Sequence, residues 1–175
     1  MAKKQKINLA DIKLLVLDVD GVLTDGSIVI NSDASESKVF NTLDGHGIKM
    51  WQRANLKVAF LSGRFSQPTD HRAKQLKIDC CLQDCYDKLP ALKKILNDLD
   101  VLPEQTAYIG DDLPDLPAIN YVAFGVAVAN AVDEVKQYAD FVTTRPGGQG
   151  AVREVIEYIL KETGVWPQLL KKYLP

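Results

Sequence analysis

A chain of 175 residues with 46% hydrophobic and 25% charged content can bury a full core and falls within the size range of one compact domain. Its 21 Lys and Arg against 23 Asp and Glu leave a net charge of −2, which excludes a whole-protein field for nucleic acid or an anionic membrane. No apolar run approaches the ~20 residues of a spanning helix, and the basic stretch Met1–Lys6 leads to Asn8 and Asp11 rather than to a signal peptide's apolar segment, so a cytoplasmic protein without membrane partners is expected.

Short apolar runs alternate with helical patterns along the chain, which predicts an α/β fold: a Rossmann-like parallel sheet with helices on both faces. The first strand is predicted over Lys13–Leu17, ending at Asp18-Val19-Asp20 and the turn Gly21-Val22-Leu23-Thr24-Asp25-Gly26. Ile28–Ile30 and Lys38–Phe40 flank the polar segment Asn31–Ser35, so a small β-hairpin is expected within about 26–40, projecting from the sheet. Helices follow near Gly47–Ala54, Pro68–Gln75, Lys88–Leu99 and Pro114–Asn120, interleaved with strands at Lys57–Leu61, Cys80–Leu82, Ala107–Ile109 and Val122–Val128.

The loop Arg145–Gly150 has glycines suited to tight turns or close approach to a ligand. Val152, Val155, Ile156, Ile159 and Leu160 then share one face of a last helix. The tail, about 162–175, carries Trp166, Leu169, Leu170, Tyr173 and Leu174 and is too apolar to stay free; it docks either on its own domain or on another subunit. With no internal repeat or linker, residues 1–175 are expected to form a single domain. Cys80, Cys81 and Cys85 are clustered, with no second Cys/His group to complete a zinc site, and read as reduced thiols.

Ligands of an open parallel sheet gather beyond the carboxyl ends of its strands. Asp18 and Asp20 fall there after the first strand, Ser62-Gly63-Arg64 after the second, Lys88 after the third, and Gly110-Asp111-Asp112 with Asp115 after the fourth. The carboxylates of Asp18, Asp20, Asp111 and Asp115, converging on one spot, repel each other unless a cation is present. Magnesium is the natural candidate, since it takes oxygen ligands and is often held by one or two carboxylates plus a substrate phosphate. The Ser62 hydroxyl, the backbone amides around Gly63 and the charge of Lys88 would receive a tetrahedral dianion. Singly these motifs are weak, because an Asp-x-Asp after a strand is often only a turn; their order and shared placement carry the weight.

Together with Leu113-Pro114, these segments resemble the motifs of the haloacid dehalogenase superfamily in its phosphatase branch. More narrowly, from about Ile12 to Ile159 the chain is similar to the 3-deoxy-D-manno-octulosonate 8-phosphate phosphatase family, including Asp44-Gly45-His46-Gly47 and Gly147-Gly148-Gln149-Gly150-Ala151-Val152-Arg153-Glu154. The resemblance implies magnesium-dependent hydrolysis of that sugar-acid phosphate in two steps, within lipopolysaccharide precursor biosynthesis. Asp18 would be the nucleophile forming an aspartyl-phosphate, and Asp20 the general acid and then base. Magnesium would lie on the side chains of Asp18 and Asp111 and the backbone carbonyl of Asp20, supported by Asp112 and Asp115. Ser62 and Lys88 would hold the transferring oxygens.

By the same resemblance Asp20, Asn41, Thr42, Leu43, Asp44, Gly45, Lys49, Arg64, Arg72 and Lys88 face the substrate, where a guanidinium fork suits a sugar-acid carboxylate. Leu43 departs from the family, which usually has an arginine there, and His46 stands where an aromatic or aliphatic residue is usual. The family implies a homotetramer in which the hairpin of one subunit covers its neighbour's site and the Gly-rich loop can fold over the entrance. Three other readings compete: a phosphatase for a nine-carbon 2-keto-3-deoxy sugar acid 9-phosphate, favoured by Leu43; a phospho-accepting receiver-like module, disfavoured by Asp20; and a non-catalytic subunit that has kept the fold.

Overall fold

The computed structural model describes residues 7–174, so the basic stretch Met1–Lys6 and Pro175 lie outside the described residues. The central sheet holds six strands in the order β5-β4-β1-β6-β7-β8, where β1 is Leu14–Leu17, β4 Lys57–Leu61, β5 Cys80–Leu82, β6 Thr106–Gly110, β7 Phe124–Ala127 and β8 Phe141–Val142. Every pairing in it is parallel; Leu14 stands opposite Lys57 of β4 and Thr106 of β6. Strands covered on both faces read as continuous apolar runs, and β1 and β7 are buried at every residue.

The chain winds from β1 outward to β4 and β5, then returns past β1 to β6, β7 and β8. The reversal opens a crevice at the carboxyl end of β1, flanked by the ends of β4 and β6, which is where open sheets of this kind place ligands. Helices α1 (Thr42–Arg53) and α6 (Ala151–Glu162) pack together, as do α3 (Lys88–Leu99) and α4 (Leu116–Tyr121), while α2 (Gln67–Leu76) links β4 to β5. Among the described residues, Trp51, Tyr108 and Phe60 are the largest side chains fully enclosed in the hydrophobic core. No helix of the described residues is long and apolar enough to cross a membrane.

Three features differ from the sequence expectations, and a fourth takes one of two alternatives that they left open. Helix α1 starts at Thr42 rather than Gly47, with Asn41 as its cap accepting from Leu43 N at 2.8 Å. Asp44, Gly45 and Gly47 read locally as turn residues, but packing overrides propensity. A Cβ on Gly47 would stand 3.0 Å from Arg153 Cδ and 3.2 Å from Arg153 Cα, so glycine lets α6 lie close. In the hairpin, β2 (Val29–Ile30) pairs antiparallel with β3 (Glu36–Ser37), earlier than the expected arm Lys38–Phe40. The turn closes through Asn31 N to Ser35 O at 2.8 Å and Ser35 N to Asp33 Oδ1 at 3.0 Å, so pairing resumes at once and Lys38 and Phe40 are released from it.

The third difference is the unexpected α5 (Asp133–Tyr138) and β8, which are too short to show a period in sequence. The fourth is the tail, which forms α7 (Trp166–Leu170). It docks on its own chain: Val165, Trp166 and Leu169 pack against the core, and Tyr173 reaches the outer face of α1. The three cysteines are free and half-buried, and burial pushes the Cys81 thiol up to about 11, away from reactivity.

Candidate active site

Asp18 follows β1 directly, and its backbone N–H still bonds Ile109 O at 3.0 Å, so the sheet ladder itself places this carboxylate. The chain then turns sharply. Leu23 and Thr24 N–H both return to Val19 O, and the Thr24 hydroxyl accepts from Gly21 and Gly26 N–H at 3.3 and 3.2 Å. Gly21 has φ +92°, in the left-handed region, and a Cβ there would run into the Asp111 carboxylate; only glycine lets the β1 and β6 loops meet.

Asp18, Asp111 and Asp115 each offer an oxygen, all within 4.8 Å of one another. Asp115 is the scaffold of the group. Its Oδ2 accepts from the N–H groups of Asp111 (3.0 Å) and Asp112 (3.2 Å), and its Oδ1 accepts from Tyr108 Oη (2.6 Å) and Lys88 Nζ (2.5 Å). Lys88 also lies 2.7 Å from Asp18 Oδ1. Ser62 donates its hydroxyl to Arg64 O at 3.0 Å, which folds the turn after β4 toward the same spot. Asp18, Ser62, Lys88, Asp111 and Asp115 line one cleft of about 330 Å³ with Asp20, Arg64, Asp112 and Tyr86, while Tyr108 stays buried behind it.

The electrostatics mark a site short of positive charge. Burial, then Asp115, pushes the Asp18 carboxyl well above the usual range despite Lys88. Burial and Asp115 likewise push Asp111 up to about 6. Asp111 Oδ1 is buried with no hydrogen-bond donor among the described residues, and neighbouring Asp18 could satisfy it only by sharing a proton. An orphaned carboxylate oxygen beside two more carboxylates fits a hard divalent cation.

The Asp20 side chain turns away from this cluster. Lys38 of the hairpin bonds its Oδ1, and Arg64 Nε lies 3.7 Å from its Oδ2. The remaining expected residues are dispersed. Asn41 Nδ2 donates to Gly148 O at 3.1 Å, and Asp44, buried, accepts from Gly150 N–H (3.2 Å) and Arg153 N–H (2.8 Å). Gly45 lies against the Arg72 guanidinium. Thr42 is exposed, and Leu43 is 48% exposed outside the cleft. Lys49 bonds Leu76 O and Gln52 Oε1, capping the end of α2.

Arg72 lies over the Phe40 ring at 5.5 Å and lines a second, open groove with Lys38 and His71. The Gly-rich loop is pinned rather than poised over the entrance: Gly148 N–H bonds Val22 O at 2.9 Å, and Gly147 N–H bonds Asn130 Oδ1 at 2.7 Å. Sequence reasoning passed over Tyr108, Glu36 and Lys38. A tyrosine within a buried aliphatic strand needs a hydroxyl partner, and Glu36 and Lys38 share one face of the hairpin arm by their spacing; both signals were available.

The model of the haloacid dehalogenase-like hydrolases matches residues 81–156. The 3-deoxy-D-manno-octulosonate 8-phosphate phosphatase of Salmonella typhi is 42% identical over 154 residues, covering 88% of this chain and 82% of that one. The structure of the Moraxella catarrhalis 3-deoxy-D-manno-octulosonate 8-phosphate phosphatase in complex with magnesium, phosphate and KDO superposes with a TM-score of 0.92 at 40% identity, covering 95% of each chain. The cobalt-bound Haemophilus influenzae deoxy-D-mannose-octulosonate 8-phosphate phosphatase gives 0.87 at 41% identity, covering 89% of this chain and 91% of that one. Identity of this order along most of both chains, on a shared fold, places the protein: it belongs to the haloacid dehalogenase-like hydrolases, in the 3-deoxy-D-manno-octulosonate 8-phosphate phosphatase family.

Proposed function

We propose that the chain hydrolyses 3-deoxy-D-manno-octulosonate 8-phosphate to the free sugar acid and phosphate, as the names of its relatives state for them. The observation that carries this is the buried Asp18 carboxylate at the end of β1, within 4.8 Å of Asp111 and Asp115 oxygens and paired with Lys88. Asp18 and Asp111 side chains and the Asp20 carbonyl would hold magnesium, with Asp115 and Asp112 supporting it. The bound ion supplies positive charge to the phosphoryl oxygens and relieves the repulsion among the carboxylates.

Asp18 attacks phosphorus, forming a P–O bond as the bond to the sugar oxygen breaks, and Asp20 gives that oxygen its proton. Water then attacks phosphorus, Asp20 takes a proton from it, and the bond to Asp18 breaks to release phosphate. Lys88 and Ser62 hold the transferring oxygens, and Arg64 with Arg72 provides guanidinium groups for the carboxylate end of the substrate. Asn41 and Asp44 serve by shaping the wall rather than by touching the sugar, since Asn41 is already bonded to Gly148 and Asp44 to Gly150 and Arg153.

The domain is single, the location cytoplasmic and the assembly a homotetramer in this reading. Ile30 and Val39 of the hairpin, 71% and 78% exposed, support it as apolar surface suited to a neighbouring subunit. The test is phosphate release from the eight-carbon ester with magnesium, with chelator, and for Asp18→Asn. Turnover that needs both magnesium and Asp18 is expected. A preference of ten-fold or more for the nine-carbon ester would reassign the substrate, and stable phosphorylation by acetyl phosphate without turnover would overturn the enzyme reading.

A further inference from the structure

The hairpin returns to its own chain's chemistry. Lys38 Nζ bonds Asp20 Oδ1 and lies 3.5 Å from Glu36 Oε1, with its side chain only 1% exposed. Arg64 completes the group, with Nη2 donating to Glu36 Oε2 at 2.9 Å and Nε 3.7 Å from Asp20 Oδ2. Ser66 adds a hydroxyl donor to Glu36 Oε1 at 3.3 Å. Two cations and two carboxylates thus alternate in a closed ring, in which each Asp20 oxygen faces a different cation and Glu36 holds both cations from behind.

We propose that Lys38 and Glu36 are positioning residues that aim the Asp20 carboxyl at the leaving oxygen, a role that rests on the phosphatase function above. A fully enclosed lysine is costly to bury and is tolerated here because two carboxylates meet it. Held at Oδ1 by Lys38, with Oδ2 3.7 Å from Arg64 Nε and left to carry the proton, Asp20 loses the freedom to rotate toward the acidic cluster or into solvent. It stays on the rim of the cleft where the ester oxygen departs, and a proton donor held in one geometry is worth far more than a mobile one. Glu36 keeps the ring neutral overall and ties Lys38 to Arg64, so the cations hold Asp20 from fixed positions. The strand register that pairs Glu36 with Ile30 therefore acts on the reaction directly, through residues of the same chain.

The test exploits the leaving group. An alkyl ester such as the eight-carbon 8-phosphate needs a proton on its departing oxygen, whereas p-nitrophenyl phosphate releases a stable anion and needs almost none. The measurement is kcat/KM, which reports transfer to Asp18, for both esters in wild type, Lys38→Met, Lys38→Arg and Glu36→Gln. Lys38→Met is expected to lower the alkyl value by about 100-fold, with an aryl loss at least about ten-fold smaller; Lys38→Arg recovers most of the alkyl activity.

Glu36→Gln, on the half-exposed hairpin arm, changes in the same direction by a smaller factor, and it carries the comparison if Lys38→Met fails to fold. Equal losses on both esters, or no loss on either, would overturn the role of Lys38 and Glu36 while leaving the function standing. A wild type that releases no phosphate from the eight-carbon ester would overturn that function, and the positioning role with it.

Discussion

Lys88 Nζ lies 2.7 Å from Asp18 Oδ1, with the two side chains 5% and 7% exposed. The same ammonium meets Asp115 Oδ1 at 2.5 Å, so one cation is shared between two buried carboxylates. Burial opposes its charge, but Asp18 and Asp115 outweigh that and hold its pKa above the ordinary lysine value. Lys88→Met leaves both acids facing each other without the cation. Metal-free protein is expected to lose about 3 kcal/mol in urea unfolding, and kcat to fall by about 100-fold or more because the transition-state charge loses a fixed donor. A variant of unchanged stability and turnover would contradict the shared-cation arrangement.

The metal-free protein should be more stable at mildly acidic than at neutral pH, the reverse of a domain stabilised by ionised carboxylates. Burial and Asp115 raise Asp111 to about 6, and burial raises Asp18 as well, so the folded state binds these protons more tightly than the unfolded chain. The contribution is complete below the unfolded value near 3.8 and is lost as pH rises through about 6. For Asp111 it is on the order of 3 kcal/mol. Thermal unfolding in chelator is expected to give a higher Tm near pH 5 than near pH 7.5. Adding magnesium is expected to reverse the order, because the ion binds the ionised site. A Tm in chelator that rises steadily from pH 5 to 7.5 would contradict it.

Helix α6 is capped from another helix. Its N-cap is Gly150, which has no side chain to offer, and the Asp44 carboxylate of α1 accepts from the N–H groups of Gly150 and Arg153 instead. Asp44→Ala leaves those buried donors without a partner and is expected to cost about 2–3 kcal/mol in chemical unfolding. Asp44→Asn keeps one acceptor and is expected to cost less. The loop 147–150, bonded to Asn41 and Val22, should also become the first cleavage site in limited proteolysis of Asp44→Ala.

The docked tail should respond to pH. His46 Nδ1 faces Arg153 Nη1 at 3.1 Å and so accepts, which leaves the proton on Nε2 to be donated to Tyr173 Oη at 2.9 Å. Burial, then the charges of Arg153, Arg53 and Lys172, hold His46 below its ordinary pKa. A depressed histidine favours the folded contact above its unfolded pKa, near 6.5, and the contribution is lost as pH falls through that region. Hydrogen exchange of the amides of 169–174, corrected for intrinsic rate, is expected to speed up at pH 5.5 relative to pH 7.5 in wild type. His46→Gln, whose neutral amide cannot charge, is expected to flatten that dependence; unchanged protection in wild type would rule the contact out as the source.

The strands β1, β4 and β6 were legible to within a residue of their ends because burial on both faces leaves a continuous apolar run, a property of each segment by itself, and the half-buried edge strand β5 was legible from its own short apolar run. Asp18, Ser62, Lys88 and Asp111 were legible as one group for a related reason: once the strands are parallel, their carboxyl ends share one edge, and residues just beyond them have to meet. The glycine-containing start of α1 was not legible, since its helicity comes from α6 closing over Gly47 rather than from residues nearby.

Tertiary structure alone decided the partners of the polar side chains. Asn41 and Asp44 were drawn to the loop before α6, Lys49 to the last turn of α2, and Lys38 onto Asp20, each across a long stretch of sequence. Hydrophobic periodicity sets which face of an element is buried, and it is local. Which carboxylate finds which amide or ammonium depends on the strand order and hairpin register that bring remote segments within hydrogen-bond reach, and on the cost of leaving any buried charge unmatched.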